Sequence, residues 1–261
     1  MKEPDIEFAA AALWNNWQQS RRIHELPAHC RPSDRAEGYA IQDKLAALSG
    51  QSVAGWKIAA TSVAGQAHIG VDGPLAGRLL SGRILQGGAC VSLNGNLMRV
   101  AEAEFAFRFR RNLEKRERPY SVTEVLDAVD DLYTAIEVPD SRYEDFTIVG
   151  AAQLIADDAC ACWFLLDSPV KVNWRDYNLA EHAVTGYRNG KPVSRGSGAN
   201  VLGDPLAALT WIANELSLFG NGLLAGEVVT TGTCIPPIAV EPRDHVRMDF
   251  GPLGAIEAAF S

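Results

Sequence analysis

The sequence predicts an α+β fold, with a mainly helical part over residues 1–85 and a β-rich part over residues 86–261 that form one compact unit. Three observations predict this class. Apolar residues recur at helical spacing near the front of the chain. Short β-prone runs dominate its end. Helices and strands do not alternate regularly in between, as they would around a parallel sheet.

The first part is divided by residues that cap helices and by glycines that end them. Its predicted elements are a helix from Asp5 to Ser20, a helix from Ser33 to Gly50, a strand at 53–60, a short helix from Ser62 to Gly70, and glycine-rich loops with one short strand at 71–88.

The second part carries clear turn and cap signals. Asn94-Gly95 and Asn189-Gly190 are typical of hairpin turns, Ser121 and Glu124 form a capping box, and Asp204-Pro205 opens a helix. The predicted elements are strands at 90–93 and 97–110, a helix at 122–132 that leads into the strand of Glu137, a short helix at 151–158, strands at 160–166, 183–188 and 192–195, a helix at 205–220, and strands at 228–231, 238–240, 245–250 and 255–260.

Composition narrows the classes of function. An apolar content of 47% and a charged content of 21% are those of a globular protein. The net charge of -8 argues against nucleic acid as a partner, and no apolar run has the length of a membrane span. The acidic first residues do not suit a secretory signal, and the five scattered cysteines suggest reduced thiols. We therefore expect a cytoplasmic location.

The stretch from Arg99 to Arg110 alternates strictly between apolar and polar residues, which indicates a half-buried strand. Glu102 and Glu104 share one face, with Cα atoms about 6.6 Å apart at the usual rise of a strand. Such a pair is either the solvated side of the strand or, with a cation between the carboxylates, part of a metal site.

A third carboxylate favours the metal site. Glu137 lies in the apolar, β-prone run from Leu132 to Val138. A charge in such a run is costly to bury unless it is paired or bound to a metal. Glu102, Glu104 and Glu137 are therefore candidate ligands of a hard cation such as Mg²⁺.

Several short motifs, in this order along nearly the whole chain, resemble the 2-keto-4-pentenoate hydratase family of the fumarylacetoacetate hydrolase superfamily. They are Gly55-Trp56-Lys57-Ile58 with Thr61-Ser62, Ile69-Gly70-Val71-Asp72, Ala101-Glu102-Ala103-Glu104, Ala135-Ile136-Glu137-Val138 with Asp140-Ser141-Arg142, and Ala225-Gly226-Glu227-Val228 with Thr231-Gly232-Thr233.

The resemblance implies a mixed β-roll with an N-terminal helical part, an Mg²⁺ or Mn²⁺ ion, and a homo-oligomer that associates with a homologous decarboxylase. It implies a hydro-lyase of aromatic-compound degradation that acts on a small 2-oxo or 2-hydroxydienoic acid. On this pattern Glu102, Glu104 and Glu137 match the metal ligands, and Lys57 matches the active-site lysine.

Other residues have both a functional and a structural interpretation. Lys57 is a candidate proton carrier, since burial and a nearby cation both lower a lysine pKa; alternatively it is a solvent-facing lysine or pairs with Asp72. Asp72 orients Lys57 or water, or is a turn residue. Thr233 donates to the substrate carboxylate, or is an ordinary loop hydroxyl.

Asp158 stands where the family usually has asparagine, and it is a candidate substrate-binding residue. A carboxylate near the pocket would disfavour a second anionic group on the substrate. With the apolar Leu75 and Ile235 as further wall candidates, this favours hydration of a dienoate with a neutral end. The alternatives are a 4-oxalocrotonate-type decarboxylase and a non-catalytic partner of a homologous enzyme.

Overall fold

The computed structural model describes residues 1–261. The helices are α1 (Glu3–Gln18), α2 (Arg35–Ser49), α3 (Val63–His68), α4 (Val122–Leu126), α5 (Ala151–Ala156) and α6 (Pro205–Phe219). The strands are β1 (Val53–Ala59), β2 (Leu75–Leu80), β3 (Ile84–Gln86), β4 (Cys90–Val91), β5 (Val100–Phe109), β6 (Val129–Val138), β7 (Trp163–Leu166), β8 (Ala183–Arg188), β9 (Lys191–Ser197), β10 (Val228–Thr233), β11 (Ile238–Ala239), β12 (His245–Asp249) and β13 (Ala255–Phe260).

The larger of two sheets is mixed, and it holds the long strands β5 and β6 at its centre. Its strands follow the order β2-β1-β10-β5-β6-β7-β3, and β11 pairs with β5. The pairs β1–β10 and β3–β7 are parallel, whereas the other pairs along this path are antiparallel. The chain therefore leaves and re-enters this sheet several times, which agrees with the mixed β-roll implied by the sequence.

The larger sheet curls around the face that carries the glutamates. Lys57 on β1 and Glu137 on β6 are separated by two intervening strands, so a flat sheet would hold their backbones about 14 Å apart. Their charged groups are nevertheless 2.9 Å apart. Further along the same concave face, a buried apolar cluster fills the interior: Leu79, Ala106, Tyr133, Ala135, Phe164 and Val228.

The smaller sheet packs on the opposite face of β5. It has the order β4-β13-β12-β8-β9. Phe105 of β5 meets Phe250, just beyond β12, with ring centroids 5.1 Å apart, and Phe107 meets Trp174 at 5.5 Å. The alternation of β5 thus places its phenylalanines in the main core and its glutamates inside the curl.

The N-terminal helices form a layer of their own with α5. A second core joins α1, α2 and α5 through buried residues such as Leu13, Trp17 and Leu45. Tyr39 of α2 donates to Glu215 of α6 at 2.8 Å, which ties the layer to the rest of the molecule. No helix in the structure combines the length and the apolar character needed to cross a membrane.

Both N-terminal helices begin at residues other than those predicted. Helix α1 begins at Glu3, with Lys2 in the capping position and proline in the first turn, because proline is favoured there. Helix α2 is capped by Asp34, whose carboxylate accepts from the Glu37 amide, whereas the Ser33 hydroxyl donates to the Glu37 side chain.

Two predictions around β5 and β6 are wrong. The segments on either side of Asn94-Gly95 do not form a hairpin, because β4 pairs with β13 of the smaller sheet. The capping box of Ser121 and Glu124 is confirmed, but the helix it opens ends at Leu126. The apolar period beyond it belongs to β6, which begins at Val129.

The glycine-rich and cysteine-containing regions also differ from expectation. Residues 71–88 hold two strands of the larger sheet, β2 and β3, where one short strand was predicted. Strand β7 starts at Trp163, because residues 158–160 form a separate turn. Cys160 therefore does not share a strand face with Cys162. The Asn189-Gly190 hairpin and the helix opened by Asp204-Pro205 are confirmed.

Candidate active site and metal centre

Three glutamates meet inside the curled sheet. Glu102 lies directly opposite Glu137 in the β5–β6 ladder, and Glu104 follows two residues along the same face. One carboxylate oxygen from each residue lies within 4.8 Å of the other two. The sequence did not decide whether this face of β5 is solvated or is part of a metal site. In the structure it is an interior face, and Glu104 and Glu137 are buried.

The carboxylates have lone pairs that the protein leaves free. The Oε2 atom of Glu104 accepts from the Thr230 hydroxyl and, at 2.9 Å, from the Gly232 amide. Its Oε1 atom is buried without a partner, and neither oxygen of Glu137 has an aligned hydrogen bond. Buried carboxylate oxygens are normally satisfied, so Glu104 Oε1 and Glu137 Oε2 need a partner from outside the chain, whereas Glu137 Oε1 has the Lys57 ammonium 2.9 Å away.

The electrostatics of the cluster also favour a bound cation. Burial raises the pKa of Glu102, Glu104 and Glu137, and the charge of Glu137 raises the pKa of the other two further. One lysine cannot neutralise three carboxylates. A divalent cation would remove the remaining excess of negative charge, and carboxylate oxygens are the donors that Mg²⁺ and Mn²⁺ accept. The residues present thus fit such an ion.

Lys57 is fully inside the site. Its Nζ atom lies 2.9 Å from Glu137 Oε1 and donates to the Ala159 carbonyl at 2.9 Å. Burial lowers its pKa, but the nearby Glu137 and Glu102 outweigh burial and raise it. Lys57 is therefore neither a solvent-facing lysine nor a partner of Asp72. In this structure its pKa moves in the direction opposite to the sequence-based expectation.

The carbonyl that holds Lys57 belongs to a left-handed turn. Asp158, Ala159 and Cys160 have φ angles of 55°, 49° and 62°, a conformation that costs roughly 1–2 kcal/mol per residue outside glycine. The buried pair of Arg142 and Asp157 precedes the turn. Three consecutive residues in this conformation, with the middle one bound to Lys57, store backbone strain that the surrounding contacts must hold.

A glycine on β2 makes room for this turn. A Cβ atom at Gly77 would lie 2.2 Å from the Asp158 carbonyl oxygen and 3.1 Å from Lys57 Cδ. Gly77 stands directly beside Lys57 in the β1–β2 ladder. The absence of a side chain there lets the turn and the lysine pack against the strand.

A cavity of about 510 Å³ opens above the cluster. Its floor includes Lys57 and Glu102, and Thr233 and Asn200 add polar groups. Much of the remaining wall is apolar: Ile58, Ile69, Met98, Phe146, Ile235 and the prolines at 139, 236 and 237. Besides Lys57, His68 is the one lining side chain that can become positively charged.

Only some of the other predicted site residues line the cavity. Thr233 lines the cavity, with its hydroxyl donating to the Ile235 carbonyl at 2.7 Å. Asp158 is buried but does not line the cavity; its Oδ1 atom accepts from the Arg78 amide at 2.6 Å. Asp72 is exposed in the loop after α3 and also lies outside the lining. Of the two apolar wall candidates, Ile235 lines the cavity and Leu75 does not.

Several contributors to the site escaped the sequence analysis. Ala159 acts through its carbonyl and Gly77 through its missing side chain, so neither has a chemical signature. Thr230 stands one residue before the Thr231-Gly232-Thr233 motif, and alternation along β10 could have placed it beside Glu104. His68 has no signal of its own, because the five histidines are scattered along the sequence.

Comparison with known proteins identifies the class. The family model described as fumarylacetoacetate (FAA) hydrolase C-terminal matches residues 84–261. The chain is 34% identical over 260 residues to a 2-keto-4-pentenoate hydratase of Burkholderia vietnamiensis, covering 98% of this chain and 97% of that protein. This chain therefore belongs to the fumarylacetoacetate hydrolase superfamily and, within it, to the 2-keto-4-pentenoate hydratase family.

A relative with a different reaction is also similar. The chain is 29% identical over 245 residues to a 4-oxalocrotonate decarboxylase of Pseudomonas putida, covering 93% of this chain and 91% of the relative. Among solved structures, the 4-oxalocrotonate decarboxylase of Pseudomonas putida G7, complexed with magnesium and adipate, has a TM-score of 0.89 at 25% identity and covers 100% of this chain and 99% of that one. These matches confirm the mixed β-roll.

Proposed function

We propose that this protein is a hydro-lyase that adds water to a 2-hydroxy-2,4-dienoate of the 2-keto-4-pentenoate type, giving a 4-hydroxy-2-oxo acid in the degradation of aromatic compounds. The observation that carries the proposal is the cluster of Lys57 and three carboxylates, of which Lys57 and Glu102 line a largely apolar cavity. The identity to hydratases over nearly the whole chain supports it.

Glu102, Glu104 and Glu137 would hold an Mg²⁺ or Mn²⁺ ion, as the magnesium in the related decarboxylase structure also suggests. When bound, such an ion supplies Lewis-acid polarisation of a 2-oxo oxygen. Thr230 and the Gly232 amide hold Glu104 in place for this role. Thr233 is the proposed donor to the substrate carboxylate, after its hydroxyl turns away from the Ile235 carbonyl.

Lys57 is the proposed proton carrier. Hydration moves the proton of the 2-hydroxyl group to C5, then bonds the oxygen of water to C4 while C3 gains a proton. These steps need a group that gives and takes protons beside the substrate. The Nζ atom of Lys57 is fixed for this by the Ala159 carbonyl and Glu137. Asp72 as a catalytic residue remains a prediction of the motif pattern.

The cavity wall favours hydration over decarboxylation of a diacid. Beyond Lys57, the lining offers only His68 as a possible cation for the second carboxylate of a diacid, whereas a short neutral tail suits the apolar walls. Since Asp158 does not line the cavity, the preference for a substrate with a neutral tail depends on the apolar residues of the cavity wall. A homo-oligomer and association with a homologous decarboxylase are carried over as proposals from the family resemblance.

The purified chain alone, with Mg²⁺, tests the proposal. We expect loss of the dienol absorbance with the monoacid 2-hydroxypenta-2,4-dienoate and no rapid CO₂ release from 4-oxalocrotonate. Lys57→Met should lower kcat by roughly 10²–10⁴, the usual span for a proton-transfer group, while the exposed Lys191→Met serves as the control. Rapid CO₂ release without hydration would establish the decarboxylase, and inactivity on both would favour a non-catalytic partner.

A further inference from the structure

Arg83 lies between two tryptophan rings at the outside of the curled sheet. Its guanidinium carbon is 5.1 Å from the ring centroid of Trp17, in the last turns of α1, and 4.5 Å from that of Trp163, the first residue of β7. A second guanidinium, that of Arg142, lies 4.1 Å from the Trp17 ring centroid. Stacking on aromatic faces fixes the plane of a guanidinium and leaves its edge free to bind a planar or tetrahedral oxyanion.

The chain supplies no anion to Arg83. Arg142 is paired with Asp157, but no carboxylate lies within 4.0 Å of Arg83, and its guanidinium makes no hydrogen bond. The side chain is half-buried, and burial lowers the pKa of its guanidinium. Cys162 opposes this shift, and the positive charge of Arg142 adds to it. A partly desolvated cation without a counter-ion is costly, so an anion at this position would be stabilising.

A polar cavity of about 220 Å³ adjoins Arg83. Arg22 lines it, and its Nε atom is buried without a partner. Ser20, Ser92 and Asn94 add hydroxyl and amide groups. The one carboxylate in the lining, Asp140, is already engaged by Arg22 and by the amides of Leu97 and Met98 at 2.9 and 3.4 Å.

This cavity is separate from the candidate active site. Trp163 lies opposite Val138 in the β6–β7 ladder, whereas Glu137 lies opposite Phe164. Adjacent residues of a strand point to opposite faces, so the tryptophan and the glutamate lie on different faces of the sheet. The two cavities share no lining residue, although Arg83 and Glu137 both border a third void of only about 10 Å³.

We propose that this second cavity binds a small molecule carrying a carboxylate or phosphate group, with the Arg83 guanidinium as its principal ligand and Arg22, Asn94 and Ser92 as further donors. The bidentate edge of arginine matches both oxyanions. The site is independent of the proposed hydratase activity.

Calorimetric titration of the Mg²⁺-loaded protein with inorganic phosphate and with acetate tests the site, with sodium chloride at matched ionic strength as the reference. We expect at least one of the two anions to bind the wild type, and Arg83→Gln to weaken that binding by at least tenfold. Arg195→Gln, which alters an exposed and unpaired arginine of β9, should leave it within twofold. Arg83→Lys keeps the charge and serves if the glutamine variant does not fold; it should bind several-fold more weakly than the wild type.

Two results would overturn the proposal. One is equal binding by wild type and the Arg83 variants, and the other is no binding of either anion to the wild type. If, in the second case, sedimentation also shows a change of oligomeric state in Arg83→Gln, the counter-ion is an acidic side chain of a second copy instead of a free small molecule.

Discussion

At the scale of single residues, the three glutamates show how far side-chain chemistry can be predicted. Strict alternation around Glu102 and Glu104 defines one face of β5, and an isolated charge in an apolar run singles out Glu137. The structure brings these three together with Lys57. The backbone support around them was not predictable, because Ala159 contributes only a carbonyl oxygen and Gly77 only the absence of a side chain.

Replacing Glu104 tests the metal centre. Glu104→Gln removes one of three mutually repelling carboxylates, so we expect a higher Tm than wild type without divalent cations. The same change removes a ligand, so Mg²⁺ affinity should fall by at least about tenfold, or 1.4 kcal/mol. Calorimetry and thermal unfolding measure both effects. Glu117→Gln, at an exposed position, is the control, and equal Mg²⁺ affinity in all three proteins would refute the ligand assignment.

Asp158 makes stability depend on pH. Burial raises the pKa of Asp158 to about 7, only partly offset by the Arg78 amide and charge. The unfolded chain releases this proton near pH 4, so the folded state loses stability as pH rises from about 4 to about 7.

Asp158→Asn should abolish that loss. Its Tm should exceed that of the wild type at pH 8 and the difference should shrink toward pH 5, because the wild-type carboxyl is then protonated in the folded protein. Asp72→Asn, at an exposed loop position, is the matched control for stability. A difference that does not change with pH would show that the Asp158 carboxylate is stabilised by a partner not seen here.

At the scale of elements, β2 and the left-handed turn at 158–160 show where sequence patterns fail. Residues 71–88 contain enough glycine to suggest loops, yet Gly77 lies inside strand β2. A glycine is needed at this strand position because the backbone of the turn approaches it closely. Likewise, no propensity predicts three consecutive positive φ angles at Asp158, Ala159 and Cys160. Such a conformation exists only because tertiary contacts determine it. The helix capping signals, being local, were more informative.

Gly77→Ala tests the packing of this turn against β2. The new methyl group would overlap the Asp158 carbonyl and press on Lys57 Cδ, so we expect a stability loss of about 1–3 kcal/mol and a lower kcat as the lysine shifts. Gly73→Ala is the control, since a Cβ atom there would meet no atom within 4 Å. Urea unfolding and the hydration assay give the two readouts, and equal behaviour of the variants would show that the turn tolerates displacement.

At the scale of the whole molecule, the larger sheet takes strands from both parts of the chain that the sequence distinguishes, residues 1–85 and 86–261. Strands β1 and β2 form one side of the larger sheet, and β1 pairs in parallel with β10 from the other end of the chain. Composition reveals that the front is helix-rich, but pairing between distant strands leaves no local signal.

Separating the two parts tests whether they fold as one. A chain of residues 86–261 would lack the partner of β10 and the lysine of the site, and would expose apolar surface that Trp56, Ile58 and Leu79 cover in the full protein. We expect this piece to show no cooperative thermal transition. The full chain should unfold in one transition, with far-UV circular dichroism and tryptophan fluorescence coinciding. As the control, residues 1–85 and 86–261 produced together keep every strand except β3, which the cut divides, and should co-purify as a folded complex. Cooperative unfolding of residues 86–261 alone would show that the β-rich part is an independent domain and that β1 and β2 are additions to it.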